Sequence, residues 1–185
     1  CVVSHGVSTD YFSPALDRNQ AWKNLEYGGD FGVACVGRIR PEKGTDLFVE
    51  TMLNILPQKP NMVALIIGKV ENKHKDFKEK LVRKILKAKL SDRIIFTDEI
   101  KAETMPKVMS AISLLITLPR YEGYGMTPLE ALASGTPFVG TKTGYFEEFS
   151  SNNKYGSVVA IEDIDGASEA ILNWLSKNDK LDDFA

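Results

Sequence analysis

The sequence of 185 residues is poor in several features that would point to particular functions. Two cysteines and two histidines are too few for a disulfide framework or a Cys/His zinc site. A net charge of −2 gives no overall attraction to nucleic acid. The longest strongly apolar run, from Ser113 to Leu118, falls far short of the roughly 20 residues that span a bilayer. We therefore expect a protein of the reducing cytoplasm, with no nucleic-acid partner.

What remains is an ordinary globular composition. Hydrophobic residues make up 43% and charged residues 26% of the chain, as in average soluble domains. A domain of this length buries roughly 70% of its unfolded surface. Because the chain starts at Cys1 and not at Met, we expect a piece of a longer protein. We expect a lead-in from an interdomain region over 1–30, one Rossmann-like domain over 31–177, and a truncated acidic tail over 178–185.

Short apolar runs alternate with amphipathic helical patterns along the chain. The runs predict strands at 31–37, 62–67, 93–97, 113–118, 137–140 and 157–161, and the helical spacing predicts helices at 44–55, 73–90, 102–111, 127–134 and 164–175. Strands that are apolar throughout are typical of a parallel sheet covered on both faces. We therefore predict an α/β fold, a single doubly wound parallel sheet of about six strands. Its ligand crevice should lie at the carboxyl ends of the strands.

A basic turn follows the first predicted strand, Gly37-Arg-Ile-Arg-Pro-Glu-Lys-Gly44. It places Arg38, Arg40 and Lys43 beside the start of a helix, where cations and free N–H groups together suit a pyrophosphate. An exposed basic loop with Gly44 as a helix start explains the same residues without a ligand. The spacing alone leaves both interpretations open.

A glycine-rich segment, Glu122-Gly-Tyr-Gly-Met-Thr-Pro-Leu-Glu130, follows the fourth predicted strand. Two carboxylates eight residues apart around such a turn could accept hydrogen bonds from sugar hydroxyls while backbone amides hold a phosphate. Alternatively, Thr127 and Glu130 form a capping box that begins the next helix. The third glycine of a dinucleotide fingerprint is missing, so that motif does not apply.

These segments, in this order, resemble the donor-binding, C-terminal half of retaining family 4 glycosyltransferases, which have a two-domain B-type fold. The resemblance rests on the turn from Gly6 to Pro14, on Gly-Arg-x4-Lys-Gly from Gly37 to Gly44, on Glu-x7-Glu from Glu122 to Glu130, and on Ala133-Ser-Gly-Thr-Pro-Phe-Val139. It covers the chain from about residue 5 to about residue 175.

The resemblance implies a role for each matching position. Arg38 and Lys43 would neutralise the diphosphate of a nucleotide-sugar donor, Glu130 would bind the ribose, and Glu122 would act at the transferred sugar as the catalytic carboxylate. The remaining donor-binding positions are Ile100 at the base, and Gly123, Tyr124, Gly125, Met126 and Thr127 at the phosphate or sugar. No cofactor and no metal are implied beyond the donor itself.

Within this family, the segments are most similar to bacterial lipopolysaccharide-core mannosyltransferases, which implies GDP-mannose as donor and retaining transfer of a hexose to a glycan or lipopolysaccharide-core acceptor. We expect the sequence to correspond to the donor half without the N-terminal acceptor-binding domain of such enzymes, and we expect donor binding without transfer by this chain alone. A non-catalytic nucleotide-binding module and a nucleotide-sugar epimerase of similar architecture are the alternatives.

The segment from Lys69 to Arg93 is strongly basic, with ten Lys or Arg against four Asp or Glu. A solvated helix face explains this pattern. The alternative is peripheral contact with anionic lipid at the cytoplasmic face of the inner membrane.

Overall fold

The structure is a computed structural model, and it describes residues 5–178, with only the backbone described at residue 178. Strands and helices alternate along these residues. The strands are β1 (Phe31–Val36), β2 (Met62–Ile67), β3 (Ile94–Asp98), β4 (Leu114–Thr117), β5 (Phe138–Thr141) and β6 (Gly156–Val159). The α-helices are α1 (Arg18–Lys23), α2 (Thr45–Ile55), α3 (Lys75–Lys87), α4 (Met105–Ala111), α5 (Met126–Ala133), α6 (Phe146–Ser150) and α7 (Ile164–Asn178).

The six strands form one sheet in the order β3-β2-β1-β4-β5-β6, and all neighbouring pairs are parallel. The chain builds outward from β1 to β3, then returns to the other side of β1 and builds outward again. The strand order therefore reverses between β1 and β4. In doubly wound sheets, ligands bind at the carboxyl edge of such a reversal.

Helices cover both faces of the sheet because both faces are apolar. One core packs β1, β2 and β4 against α2, α3 and α7, with Phe48 and Met52 fully buried. The other core packs the opposite face against α1, α4, α5 and α6, with Phe138 and Phe146 buried. The predicted doubly wound α/β domain with about six strands is confirmed.

Several local predictions differ from the structure. No helix is predicted in the lead-in before β1, but α1 lies there, and Trp22 is 2% exposed in the second core. The short helix α6 follows β5 and was not predicted. The predicted helix at 102–111 begins with a 3₁₀ turn at Ala102–Thr104 before α4. In α1 and α6, tertiary packing decides the outcome because both helices are too short for a periodic signal.

Candidate functional site

The turn after β1 and the turn after β4 meet at the reversal of strand order. Gly44 has a φ of 65° and a Cβ at this position would collide with the carbonyl oxygen of Leu118. Only glycine allows the backbone to come this close. Lys43 Nζ lies 2.7 Å from Glu122 Oε2, so the two motifs contact each other directly through residues that are 79 positions apart.

The ion pair of Lys43 and Glu122 is sheltered but reachable. The side chains are 26% and 21% exposed, respectively. The other carboxylate oxygen of Glu122, Oε1, accepts a hydrogen bond from the Gly123 amide at 3.1 Å. A cation and a carboxylate held together at the edge of the sheet can serve a ligand that carries both negative charge and hydroxyl groups.

Arg38 lies on the side of this edge toward β2. Its Nη1 atom is 3.4 Å from Glu71 Oε1, and the side chain is 57% exposed. The pKa of Glu71 is lowered mainly by its hydrogen bond with Lys73 and less by Arg38. Arg38 therefore has a weak, exposed partner and its guanidinium is open to an incoming anion.

The capping box that Thr127 and Glu130 offered as an alternative interpretation is not formed in the structure. Helix α5 begins at Met126, one residue earlier than predicted, and its N-cap is Gly125 with no side-chain hydrogen bond. Gly125 has a φ of 105°, and a Cβ there would collide with the Phe146 ring. The left-handed glycine and this close packing set the start of the helix, so Glu130 is not needed as a cap.

The Glu130 side chain is half-buried, and its carboxylate has no hydrogen bond or ion pair with any residue of the described range 5–178. Burial raises the pKa of Glu130 above its ordinary value. A half-buried carboxylate without a partner costs stability unless something else binds it. This residue is a candidate for contacts with ligand hydroxyls.

The turn from Gly123 to Thr127 presents backbone more than side chains. The Tyr124 ring packs on Tyr145 and Phe149, and its hydroxyl donates to the carbonyl of His5 at 2.9 Å. The Tyr124 carbonyl accepts from the Tyr145 amide at 3.1 Å. The first amides of a helix lack intrahelical acceptors, and those of α5 have no side-chain cap. They are therefore available to an anion.

Ile100 lies after β3, two strands away from the turn that carries Lys43. It is partly buried and packs on the second core. The amide of Gly68, at the end of β2, donates to the Asp98 carbonyl at 2.8 Å, which holds the neighbouring loops side by side. The structure thus places Ile100 on the same edge as Lys43, toward its β3 side.

Arg120 has a central position that the sequence did not reveal. Its guanidinium is bonded to both carboxylate oxygens of Asp46 at 2.8 Å and to Glu162 at 2.5 and 3.2 Å. The signal in the sequence was its place three residues after the end of β4 and two residues before Glu122.

Over residues 5–178, no helix is both long and apolar enough to cross a membrane. No group of three or more His, Cys, Asp or Glu side chains in the same range is arranged to hold a metal ion.

Comparison with known proteins identifies relatives over nearly the whole chain. The family model described as "Glycosyl transferases group 1" matches residues 17–185. A lipopolysaccharide core biosynthesis mannosyltransferase, LpsB of Rhizobium meliloti, is 35% identical over 184 residues, which is 97% of this chain and 52% of the relative. A GDP-mannose-dependent alpha-(1-6)-phosphatidylinositol monomannoside mannosyltransferase of Mycolicibacterium smegmatis is 29% identical over 92% of this chain and 46% of the relative.

Among solved structures, the C-terminal domain of a glycosyl transferase group 1 family protein (LpcC) of Francisella tularensis is similar with a TM-score of 0.89 and 30% identity. The match covers 94% of this chain and 90% of that domain. The expected fold, the C-terminal half of the two-domain B-type architecture, is thereby confirmed. The chain spans about half the length of the curated relatives it matches.

Proposed function

The chain belongs to the group 1 glycosyl transferases, and we propose that it is the domain of a hexosyltransferase that binds a nucleotide-diphospho-sugar. The observation that carries this proposal is the contact of Lys43 with Glu122 at 2.7 Å. It brings a cation suited to a phosphate and a carboxylate suited to sugar hydroxyls together where the strand order reverses. The family match favours a transferase over the epimerase alternative.

In this proposal, the diphosphate binds between Arg38, Lys43 and the first amides of α5. Arg38 can bind a phosphate through two parallel N–H···O bonds, and Lys43 binds it as a point charge. The N-terminus of α5 adds the positive end of a helix dipole. These positive groups take the place of a divalent ion. The ribose hydroxyls bind the unpartnered Glu130 carboxylate, and the base lies toward Ile100.

We propose transfer with retention of configuration. The bond between the sugar C1 and the departing diphosphate breaks, and the acceptor oxygen bonds to C1 on the same face. The cations at Arg38 and Lys43 stabilise the negative charge that develops on the diphosphate. Glu122 binds a hydroxyl of the transferred sugar and stays next to the reacting carbon. In this proposal, an N-terminal domain binds the acceptor and supplies the groups that receive its proton. This chain alone should therefore not transfer sugar.

We propose GDP-mannose as the donor and a glycan or the lipopolysaccharide core as the acceptor. Mannosyltransferases of lipopolysaccharide core biosynthesis are 35% identical to this chain, and the name of the mycobacterial relative states that it depends on GDP-mannose. The expected location in the cytoplasm is part of the same proposal.

A thermal-shift panel of GDP-, UDP- and ADP-sugars, each with mannose and glucose, tests the donor. A ligand at about 100 times its dissociation constant adds about 2.7 kcal/mol of stability, which raises the Tm of a domain this size by roughly 5–11 °C. We expect this shift with GDP-mannose and a smaller one with the other sugars. A panel without any shift would reject donor binding, and a shift with UDP- or ADP-sugars alone would reject the GDP assignment.

We also propose that α3 contacts an anionic membrane surface. Lys75, Lys80 and Lys87 are exposed on this helix, and Leu86 is 57% exposed among them. A basic face with an apolar side chain suits a headgroup region. Cosedimentation with vesicles containing phosphatidylglycerol should be lost in Lys80→Glu/Lys87→Glu and kept in Lys23→Glu, which lies on the opposite face. Equal binding by both variants would contradict the proposal.

A further inference from the structure

Arg120 connects three loops at the carboxyl edge of the sheet. Its guanidinium forms a two-bond fork with Asp46 in the first turn of α2 and a second pair with Glu162 after β6. Nη1 also donates to the Pro41 carbonyl at 2.5 Å, and the backbone amide of Arg120 donates to the Glu42 carbonyl at 2.9 Å. One residue therefore ties the loops after β1, β4 and β6 together.

The arrangement is specific to arginine. Two carboxylates on different sides of a planar guanidinium require its five donors, and a lysine ammonium cannot form the same forks. The Arg120 side chain is 29% exposed and that of Asp46 is 28% exposed. Solvent therefore screens the electrostatic attraction between them only in part. The bonds to Asp46 and Glu162 also raise the pKa of Arg120. Arg120 is permanently charged, and its place is fixed from several sides.

The bonds of Arg120 hold the turn that carries Lys43. Pro41–Lys43 form a 3₁₀ turn, and Arg120 is bonded to the carbonyls of Pro41 and Glu42, directly before Lys43. Glu122, the partner of Lys43 in the ion pair, follows Arg120 by two residues in the chain. Arg120 thus fixes both the backbone that presents Lys43 and the backbone that presents Glu122.

We propose that Arg120 is a positioning residue for the donor diphosphate, which acts through Lys43. It keeps the Lys43 ammonium at the reversal of strand order, where the diphosphate and the sugar meet, and does not itself bind the donor. The inference rests on the proposed function, because it assigns Arg120 to the same donor site. Its mechanism is preorganisation: a loop already in its bound conformation loses less entropy when the ligand binds.

A double-mutant cycle with Lys43→Ala and Arg120→Ala tests whether Arg120 acts through Lys43. The readouts are GDP affinity by calorimetry and Tm by thermal unfolding. We expect Arg120→Ala to weaken GDP binding at least tenfold in the wild-type background. In the Lys43→Ala background, the same change should weaken binding less than twofold, because the group that Arg120 positions is already gone.

Arg93→Ala is the matched control. Arg93 lies at the opposite edge of the sheet, where its Nε donates to the Met62 carbonyl at 3.1 Å and its Nη1 to the Leu56 carbonyl at 3.1 Å. It therefore also joins segments of the chain through carbonyls, but no hydrogen bond joins it to the turn that carries Lys43. We expect a lower Tm with an unchanged GDP affinity. If Arg93→Ala weakened GDP binding as much as Arg120→Ala, the effect of Arg120 would be general destabilisation.

Asp46→Asn keeps the test decisive if Arg120→Ala does not fold. It removes the negative charge of the carboxylate that pairs with Arg120. We expect GDP affinity to fall at least threefold, again only when Lys43 is present. Additive effects in the cycle would overturn the role of Arg120 and leave the proposed function intact. Wild-type protein that binds no nucleoside diphosphate, or Lys43→Ala without effect on binding, would overturn the donor site itself and the inference with it.

Discussion

Replacing Glu122 by glutamine should strengthen the binding of GDP while it abolishes sugar transfer in the complete enzyme. In the free protein, Glu122 Oε2 lies 2.7 Å from Lys43 Nζ, with only 21% of the Glu122 side chain exposed. The carboxylate therefore neutralises a cation that we assign to the diphosphate. Glutamine has nearly the same shape and can still accept a hydrogen bond from Lys43, but it carries no charge.

The magnitude follows from the geometry of the ion pair. A phosphate oxygen bonded to Lys43 would lie within about 6 Å of the Glu122 carboxylate, the sum of two N–H···O distances. At about 6 Å in water, two unit charges repel by about 0.7 kcal/mol. Removal of this repulsion tightens binding about threefold. The diphosphate carries more than one charge and the pair is partly buried, so about threefold is a lower bound.

The assay is calorimetric titration of GDP into the wild type, Glu122→Gln and Asp92→Asn at low salt. Asp92→Asn is the control for net charge, because it removes one exposed carboxylate at the amino edge of the sheet. Loss of the ion pair should cost at most about 1 kcal/mol of stability, which lowers Tm by about 2–4 °C. Unchanged or weaker GDP binding by Glu122→Gln would refute the coupling of Glu122 to the phosphate through Lys43.

Four other outcomes can be measured on the same protein. Glu130→Gln should weaken GDP binding at least tenfold, since charge-assisted hydrogen bonds contribute about 1.5–3 kcal/mol, without lowering Tm; a lower Tm with normal binding would make Glu130 structural. Because burial raises the pKa of Glu130, wild-type GDP affinity should fall as the pH drops through that raised pKa, and Glu130→Gln should remove this dependence. EDTA should change GDP affinity less than twofold, and a tenfold loss would show that a divalent ion is needed. Burial raises the pKa of Cys35 to about 12, so in a Cys1→Ser background iodoacetamide should label the protein only after unfolding, and labelling of the folded protein would refute this.

The sequence by itself determined the fold class, because strand and helix periodicity are local properties. The apolar runs at β1 and β2 and the helical spacing of α2 are visible without any tertiary information. The resemblance to the family was also visible in the sequence, because it rests on the order and spacing of the glycine, cation and carboxylate segments along the chain.

The tertiary structure decided which of these residues act together. Lys43 and Glu122 are 79 residues apart, and they meet only because β4 pairs with β1 at the reversal of strand order. The same pairing brings Arg120 to Asp46, a contact that no local pattern encodes. Glu130 fits a capping box in the sequence, but packing of Gly125 against Phe146 sets the start of α5 and leaves that carboxylate without a partner in the described residues. Sheet order and backbone contact are long-range properties. They bring together, in one candidate site, two motifs that each had two interpretations in the sequence.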